Sequence, residues 1–169
     1  MTDSSPCPRT TELARIIPMS LDTDLPSDGE DERPIRVSVV DDDSFALRML
    51  RSYLESSPRI EVLSMFTSAS DALLFLRRVR HDVLITDMRM PGMDGLDLLT
   101  RVKKESPDVA VIVLTSFDDD SAMLNAFAQH ASGFLLKDAS PDEVVRAVIA
   151  AYRGGTTISP VSASRLISQ

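Results

Sequence analysis

Cys7 is the only cysteine in this chain, so no disulfide can close within it, and a reducing, cytoplasmic setting is the expectation. Cys7 itself reads as a spectator thiol. The two histidines, His81 and His130, stand alone, and no Cys/His spacing matches a zinc site. No apolar run is long enough to span a bilayer, and the amino end has no signal-peptide pattern, so no membrane partner is expected. Positive charge is also short: 18 Lys/Arg against 26 Asp/Glu leave a net charge of -8. That balance argues against a basic face able to grip nucleic acid. No internal repeat is visible.

What is present divides into three parts. Residues 1–34 carry eight Asp/Glu against three Lys/Arg, five prolines and the run Asp28-Gly29-Glu30-Asp31-Glu32. Low hydrophobicity with high charge predicts a disordered acidic extension. Its alternative reading is a tail for a basic partner. From Ile35 to Gly155, strand-like and helix-like segments alternate five times. Strands are expected at about 36–40, 60–66, 83–86, 109–114 and 133–136. Helices are expected near 44–56, 70–80, 96–105, 121–129 and 141–153. Ala72, Phe75, Leu76 and Val79 share one helical face, as do Val145, Val148, Ile149 and Tyr152. Ser140, Pro141 and Glu143 form a capping-box start, and Gly154-Gly155 a stop. The fourth run is apolar throughout, as in a strand buried on both faces, while Glu61 and Ser64 suit the second run to a sheet edge. Alternation with right-handed crossovers predicts an α/β fold with a doubly wound parallel sheet. Residues 156–169 read as a linker with the start of a short helix.

The chemistry stands where the apolar runs end. Asp41-Asp42 follow Val39-Val40, Asp87 follows Val83 to Thr86, Thr115 follows Val109 to Leu114, and Lys137 follows Phe134 to Leu136. The carboxyl ends of parallel strands gather on one edge, where such folds bind ligands. Carboxylates, a hydroxyl and an ammonium converging there are equipment for a divalent cation and a phosphoryl group. Pro91, Gly92 and Gly95 shape the connection after Asp87 and leave that carboxylate at the strand end as a competent nucleophile. Taken singly, Asp41, Asp42 and Asp43 read as helix caps and Asp87 as a turn acid. Four strand ends with matched chemistry do not.

These segments carry a resemblance. Val39-Val40-Asp41-Asp42, the stretch Ile85 to Gly95, Leu114-Thr115-Ser116-Phe117 and Gly133-Phe134-Leu135-Leu136-Lys137-Asp138 resemble a bacterial response-regulator receiver domain over about Ile35 to Gly155. The Leu-Leu-Lys-Asp ending and the exit Gly154 to Pro160 are similar to the NarL/FixJ subgroup, which normally adds a LuxR-type helix-turn-helix. The resemblance implies a flavodoxin-like (βα)5 receiver fold, five strands in the order 2-1-3-4-5. It implies that Asp87 is the phosphoacceptor and that Asp41 and Asp42 form the acidic pair, Asp42 nearer the metal. The metal, Mg2+ or Mn2+, would also take the backbone carbonyl of Arg89. Thr115 and Lys137 would sense the phosphoryl group, with Ser116 leaving it room. Phe134 falls at the aromatic switch position; its other role is that of a core aromatic. The implied partner is a sensor histidine kinase, with DNA reached only through a C-terminal domain absent from these residues.

Gln129-His130-Ala131 stand where the subgroup usually has a glycine; if that position needs a positive φ, His130 is tolerable but not ideal, so a differently shaped corner between the fourth helix and fifth strand is expected. Two rival functions are a stand-alone receiver and a haloacid dehalogenase-type phosphatase. The phosphatase needs an acid two residues after its nucleophile, where this chain has Arg89. Asp41 and Asp43 make an Asp-x-Asp, but Ser44-Phe45 follows. The expectation is therefore no turnover enzyme, only Mg-dependent self-phosphorylation and self-dephosphorylation. A homodimer on phosphorylation is expected through the first and fifth helices, because Ser121 to Gln129 holds no charge for an ion-pair lattice.

Overall fold

Mostly apolar stretches of four to seven residues build the first five strands, and each amphipathic stretch between them returns the chain as a crossover helix. The computed structural model describes residues 33–116 and 120–167. The expected acidic extension, with Cys7, thus lies outside the described residues up to Glu32, as does Phe117. In order come β1 (Ile35–Val40), α1 (Ser44–Glu55), β2 (Ile60–Phe66), α2 (Ala69–Leu76), β3 (Val83–Asp87) and α3 (Gly95–Glu105). They are followed by β4 (Ala110–Thr115), α4 (Asp120–Ala128), β5 (Gly133–Leu136), α5 (Pro141–Tyr152), β6 (Thr157–Ile158) and α6 (Pro160–Ile167).

All strands pair parallel, in the order β2-β1-β3-β4-β5-β6. Alternate side chains supply two cores. Val37, Val39, Ile85, Ile112, Leu114 and Leu135 pack toward α1 and α5. Val40, Leu84, Val111, Val113 and Phe134 pack toward α2, α3 and α4. Leu84 and Ile85 are wholly buried, and each contributes about 1.5–3 kcal/mol of transfer free energy. As expected, β4 is buried along its length and β2 lies at an edge.

The doubly wound sheet and the order 2-1-3-4-5 hold, but the five-strand count is corrected to six. The linker-like segment after α5 returns along β5. Gly154, at φ 83, sits after the helix; Gly154 N donates to Ala151 O at 3.1 Å and Gly155 N to Ala150 O at 2.9 Å. This is the paired bond pattern of a Schellman stop. Thr157 N then donates to Ser132 O at 3.1 Å, and Gly133 and Phe134 face Thr157 and Ile158. β6 so covers part of an edge that β5 would otherwise leave unpaired.

Two helices differ from expectation. α2 ends at Leu76, not Arg80, because the chain must turn into β3, and the His81 imidazole secures that turn on Val79 O at 2.8 Å. The buried face of α5 is Val144, Ala147, Val148 and Ala151, one residue round from the expected stripe. Its two alanines let α5 lie close on the sheet, and Val145, Ile149 and Tyr152 are left half-buried. α4 ends as α5 does: His130 N bonds Phe127 O and Ala131 N bonds Ala126 O, both at 3.0 Å. His130 itself takes the left-handed position with φ 64, so the corner keeps that turn without a glycine and is not reshaped as expected.

Candidate functional site

β1 and β3 are neighbours whose following helices, α1 and α3, cross to opposite faces of the sheet. That divergence opens a crevice at their carboxyl ends. Asp41 leaves β1 at its floor: fully buried, its N–H donates to Phe66 O at 3.0 Å and its Oδ1 accepts from Asp43 N at 2.8 Å. Asp43 does what the capping reading asked, taking Phe45 N at 2.8 Å at the start of α1. Asp42, between them, is exposed. The capping reading thus holds for Asp43 alone.

Asp87 closes β3. Its backbone is held on both sides: Thr86 Oγ1 donates to Asp87 O at 3.0 Å, and Met88 N donates to Leu114 O at 2.9 Å. Gly95 is pressed against the same carbonyl, where a Cβ would collide with Asp87 O. Sequence reasoning saw Gly95 only as a turn former; its close approach was not readable from composition. The Asp87 side chain is 4% exposed, and one oxygen of Asp41, Asp42 and Asp87 lies within 4.8 Å of the other two.

Lys137 supplies the counter-charge. Its Nζ is 3.1 Å from Asp87 Oδ2 and 3.4 Å from Asp41 Oδ2. Burial, then the charge of Asp41, pushes the Asp87 carboxyl above the ordinary range, although Lys137 and the backbone N–H of Arg89 pull the other way. For Lys137, burial opposes the charge, but Asp87 and Asp41 outweigh it and hold the ammonium above the usual lysine range. Among the described residues, Asp41 Oδ2 is buried without a hydrogen bond. One ammonium among three carboxylates leaves two negative charges uncompensated, and Asp41 Oδ2 has only the Lys137 ammonium, at 3.4 Å, for company. A hard divalent cation with oxygen ligands answers both conditions, so these residues fit the Mg2+ or Mn2+ expected of them.

Thr115 ends β4, nearly buried, its Oγ1 donating to Ser116 O at 3.0 Å; Lys137 N donates to Thr115 O at 2.9 Å. Ser116 is exposed beside it, and Arg89 is exposed two residues beyond Asp87. The site residues expected from sequence therefore gather at one sheet edge, with Phe134 apart from them. Its buried ring packs 6.0 Å from Phe127 of α4.

A flavodoxin-like α/β sheet with an acidic pocket at its switch point is thus what the chain presents. The chain belongs to the response regulator receiver domain family, whose model matches residues 37–149. It is 32% identical over 126 residues to the nitrate/nitrite response regulator NarP of Escherichia coli, covering 75% of this chain and 59% of that protein. It is 30% identical over 135 residues to the DNA-binding transcriptional activator DevR/DosR of Mycobacterium tuberculosis, covering 80% and 62%. The isolated receiver domain of RcsB from Salmonella enterica, solved with phosphomimetic BeF3-, matches with a TM-score of 0.72 at 28% identity, over 79% of this chain and 99% of that one. RcsB has also been solved as two dimers bound to two parallel DNAs (TM-score 0.73, 27% identity, 80% of this chain and 69% of that one). The chain spans about 60% of the length of the curated relatives it matches.

Proposed function

We propose that this chain is the phosphorylation-controlled switch of a two-component transcription regulator. The observation that carries this reading is the Asp87 carboxylate, buried at a strand end with Lys137 Nζ at 3.1 Å and two further carboxylates beside it. Asp87 attacks the phosphorus of a phosphohistidine on a partner histidine kinase. The P–O bond forms as the P–N bond breaks, and the electron pair leaves with the imidazole nitrogen. Mg2+, or Mn2+ in its place, would be held by Asp42, Asp87 and the Arg89 backbone carbonyl, with Asp41 behind, and would neutralise charge on the transferring group. Lys137 and the Thr115 hydroxyl grip the phosphoryl oxygens once the group is on Asp87, and Ser116 leaves room for them. The added charge biases an equilibrium between two conformations, with Phe134 as the candidate switch aromatic. Arg89 stands where a phosphatase keeps its acid, so the site is not equipped for turnover of phosphomonoesters. The chain phosphorylates itself from small donors and loses the group by hydrolysis.

Incubation with Mg2+ and a small acyl phosphate should add one phosphoryl mass. Asp87→Asn should abolish it, and Asp42→Ala or EDTA should block it. Unchanged labelling of Asp87→Asn overturns the assignment.

The likeness to NarP, DevR/DosR and RcsB extends the reading to a cytoplasmic regulator whose DNA contact belongs to a C-terminal domain outside these 169 residues. Half-sites on DNA call for a twofold protein, and α1 with α5 is the face we assign to the dimer. Arg48, Arg51 and Glu55 on α1 and Asp142, Glu143, Arg146 and Arg153 on α5 offer charge; exposed pairs contribute only about 0.2–1 kcal/mol each. A cleft of about 210 Å³ beside α1, walled by Phe45, Ala46, Met49 and Tyr53 and reaching Lys137 and, at the start of α5, Val144, adds the apolar part. Sedimentation with and without beryllofluoride should show a monomer that self-associates on loading. A concentration-independent monomer in both states overturns this part.

A further inference from the structure

The elements that would sense a phosphoryl group are the ones held by the chain's last described segment. Lys137 and Thr115 are joined through the 2.9 Å bond from Lys137 N to Thr115 O, so the ends of β4 and β5 move together. Phe134, three residues before Lys137, pairs with Ile158 of β6 on one side and packs against Phe127 of α4 on another. α6 then packs against α4 itself. The helix it meets suits an apolar cover, since residues 121–129 hold no charge. β5 and α4 are thus gripped together from outside.

We propose that β6 and α6 form a self-inhibitory clamp, closed on β5 and α4 in the unphosphorylated chain and released when a phosphoryl group on Asp87 draws in Thr115 and Lys137. The proposal rests on the reading of Asp87 as phosphoacceptor. The clamp is built to let go. A two-residue strand at a sheet edge belongs to the least stable part of a fold. Its hold is weaker still because Thr157 Oγ1 is buried with no hydrogen-bond partner among the described residues, which carries the full desolvation cost of a hydroxyl. Release frees the β5 edge and the α4 face at once. It also frees the segment that leads out of the domain.

Coupling between two equilibria is reciprocal. Whatever a phosphoryl mimic does to the clamp, the clamp does to the mimic's affinity, and two substitutions at one residue give opposite signs. Thr157→Pro removes the N–H that donates to Ser132 O and opens the clamp. Thr157→Val keeps that N–H and replaces the orphaned hydroxyl with a methyl, which closes it further. Beryllofluoride titrated in Mg2+ onto the 169-residue chain should bind Thr157→Pro about fivefold more tightly than wild type. Thr157→Val should bind it more weakly by a similar factor, and amide exchange at Thr157 and Ile158 of the wild type should quicken on loading. Equal affinities in the three chains, shifts of the same sign, or unchanged exchange overturn the clamp while leaving Asp87 in place. Failure of all three to bind beryllofluoride overturns the reading of Asp87 and the clamp with it.

Discussion

Gly95→Ala and Gly92→Ala lie three residues apart in one loop and should fail for different reasons. Gly92 has φ 78, and a Cβ there meets nothing within 4 Å. Its substitution costs torsional strain alone, about 1–2 kcal/mol. Gly95 needs no unusual φ, but its Cβ would run into the Asp87 carbonyl oxygen and stand 3.0 Å from both the Asp87 carbonyl carbon and Met88 Cα. Carbon atoms settle at about 3.5–4.0 Å, and all three obstacles are backbone, which cannot swing aside. Overpacking of this kind costs about 1–3 kcal/mol, with this site at the upper end. The bond from Gly95 N to Met88 O, 2.9 Å long, is lost as the helix retreats and adds about 1 kcal/mol. Gly95→Ala should therefore lose about 3–4 kcal/mol in urea denaturation, about twice the loss of Gly92→Ala. Because the displaced backbone is that of Asp87, labelling by an acyl phosphate should also collapse in Gly95→Ala and survive in Gly92→Ala. A Gly95→Ala chain as stable as Gly92→Ala, or one labelled at the wild-type rate, refutes the close-approach argument.

Asp87→Asn should stabilise the chain at neutral pH by about 0.5–2 kcal/mol. The folded carboxyl keeps its proton to a higher pH than the unfolded one, so the folded state binds more protons between the ordinary value of 3.8 and the raised one. Stability then falls as pH rises through that window. The advantage of the Asn chain should accordingly be absent below pH 3.8, grow through the window and level off above it; an advantage independent of pH would rule this cause out. Mg2+ should raise the urea midpoint of the wild type and not of Asp87→Asn. His130→Gly should gain about 1 kcal/mol by relieving the left-handed strain at the end of α4, and an unchanged midpoint would show that the histidine side chain compensates.

The site was readable from sequence because its residues punctuate apolar runs. Asp41, Asp42, Asp87, Thr115 and Lys137 each stand where a buried strand stops, and parallel topology brings such ends together whatever lies between. β6 was not readable: Thr157-Ile158 has no alternation to announce a strand, and only the reversal at Gly154 turns it back onto β5. The α5 face was misread for a related reason. Val145, Ile149 and Tyr152 are the larger side chains, but Ala147 and Ala151 permit the closer approach, and backbone proximity decided which face went inward. α2 stopped early because three-dimensional reach, not periodicity, sets where a helix must end. Asp43 took the capping role that sequence alone would have shared among three neighbours.

The pocket works against the fold's own stability, and that opposition explains its use. Asp41 is wholly buried and Asp87 nearly so, with a single ammonium between them and one carboxylate oxygen left without a hydrogen bond. Buried carboxylates this close raise one another's cost of ionisation. A divalent cation would relieve the excess charge at the β1–β3 crevice. A phosphoryl group on Asp87 would then place new anionic oxygens beside Lys137 and Thr115, and the ammonium that now serves Asp87 and Asp41 would gain a competing partner. Lys137 can answer that partner only by moving, and its backbone is bonded to Thr115. Any movement of that backbone is therefore shared by β4 and β5, and β5 carries Phe134, which pairs with β6 and packs on α4.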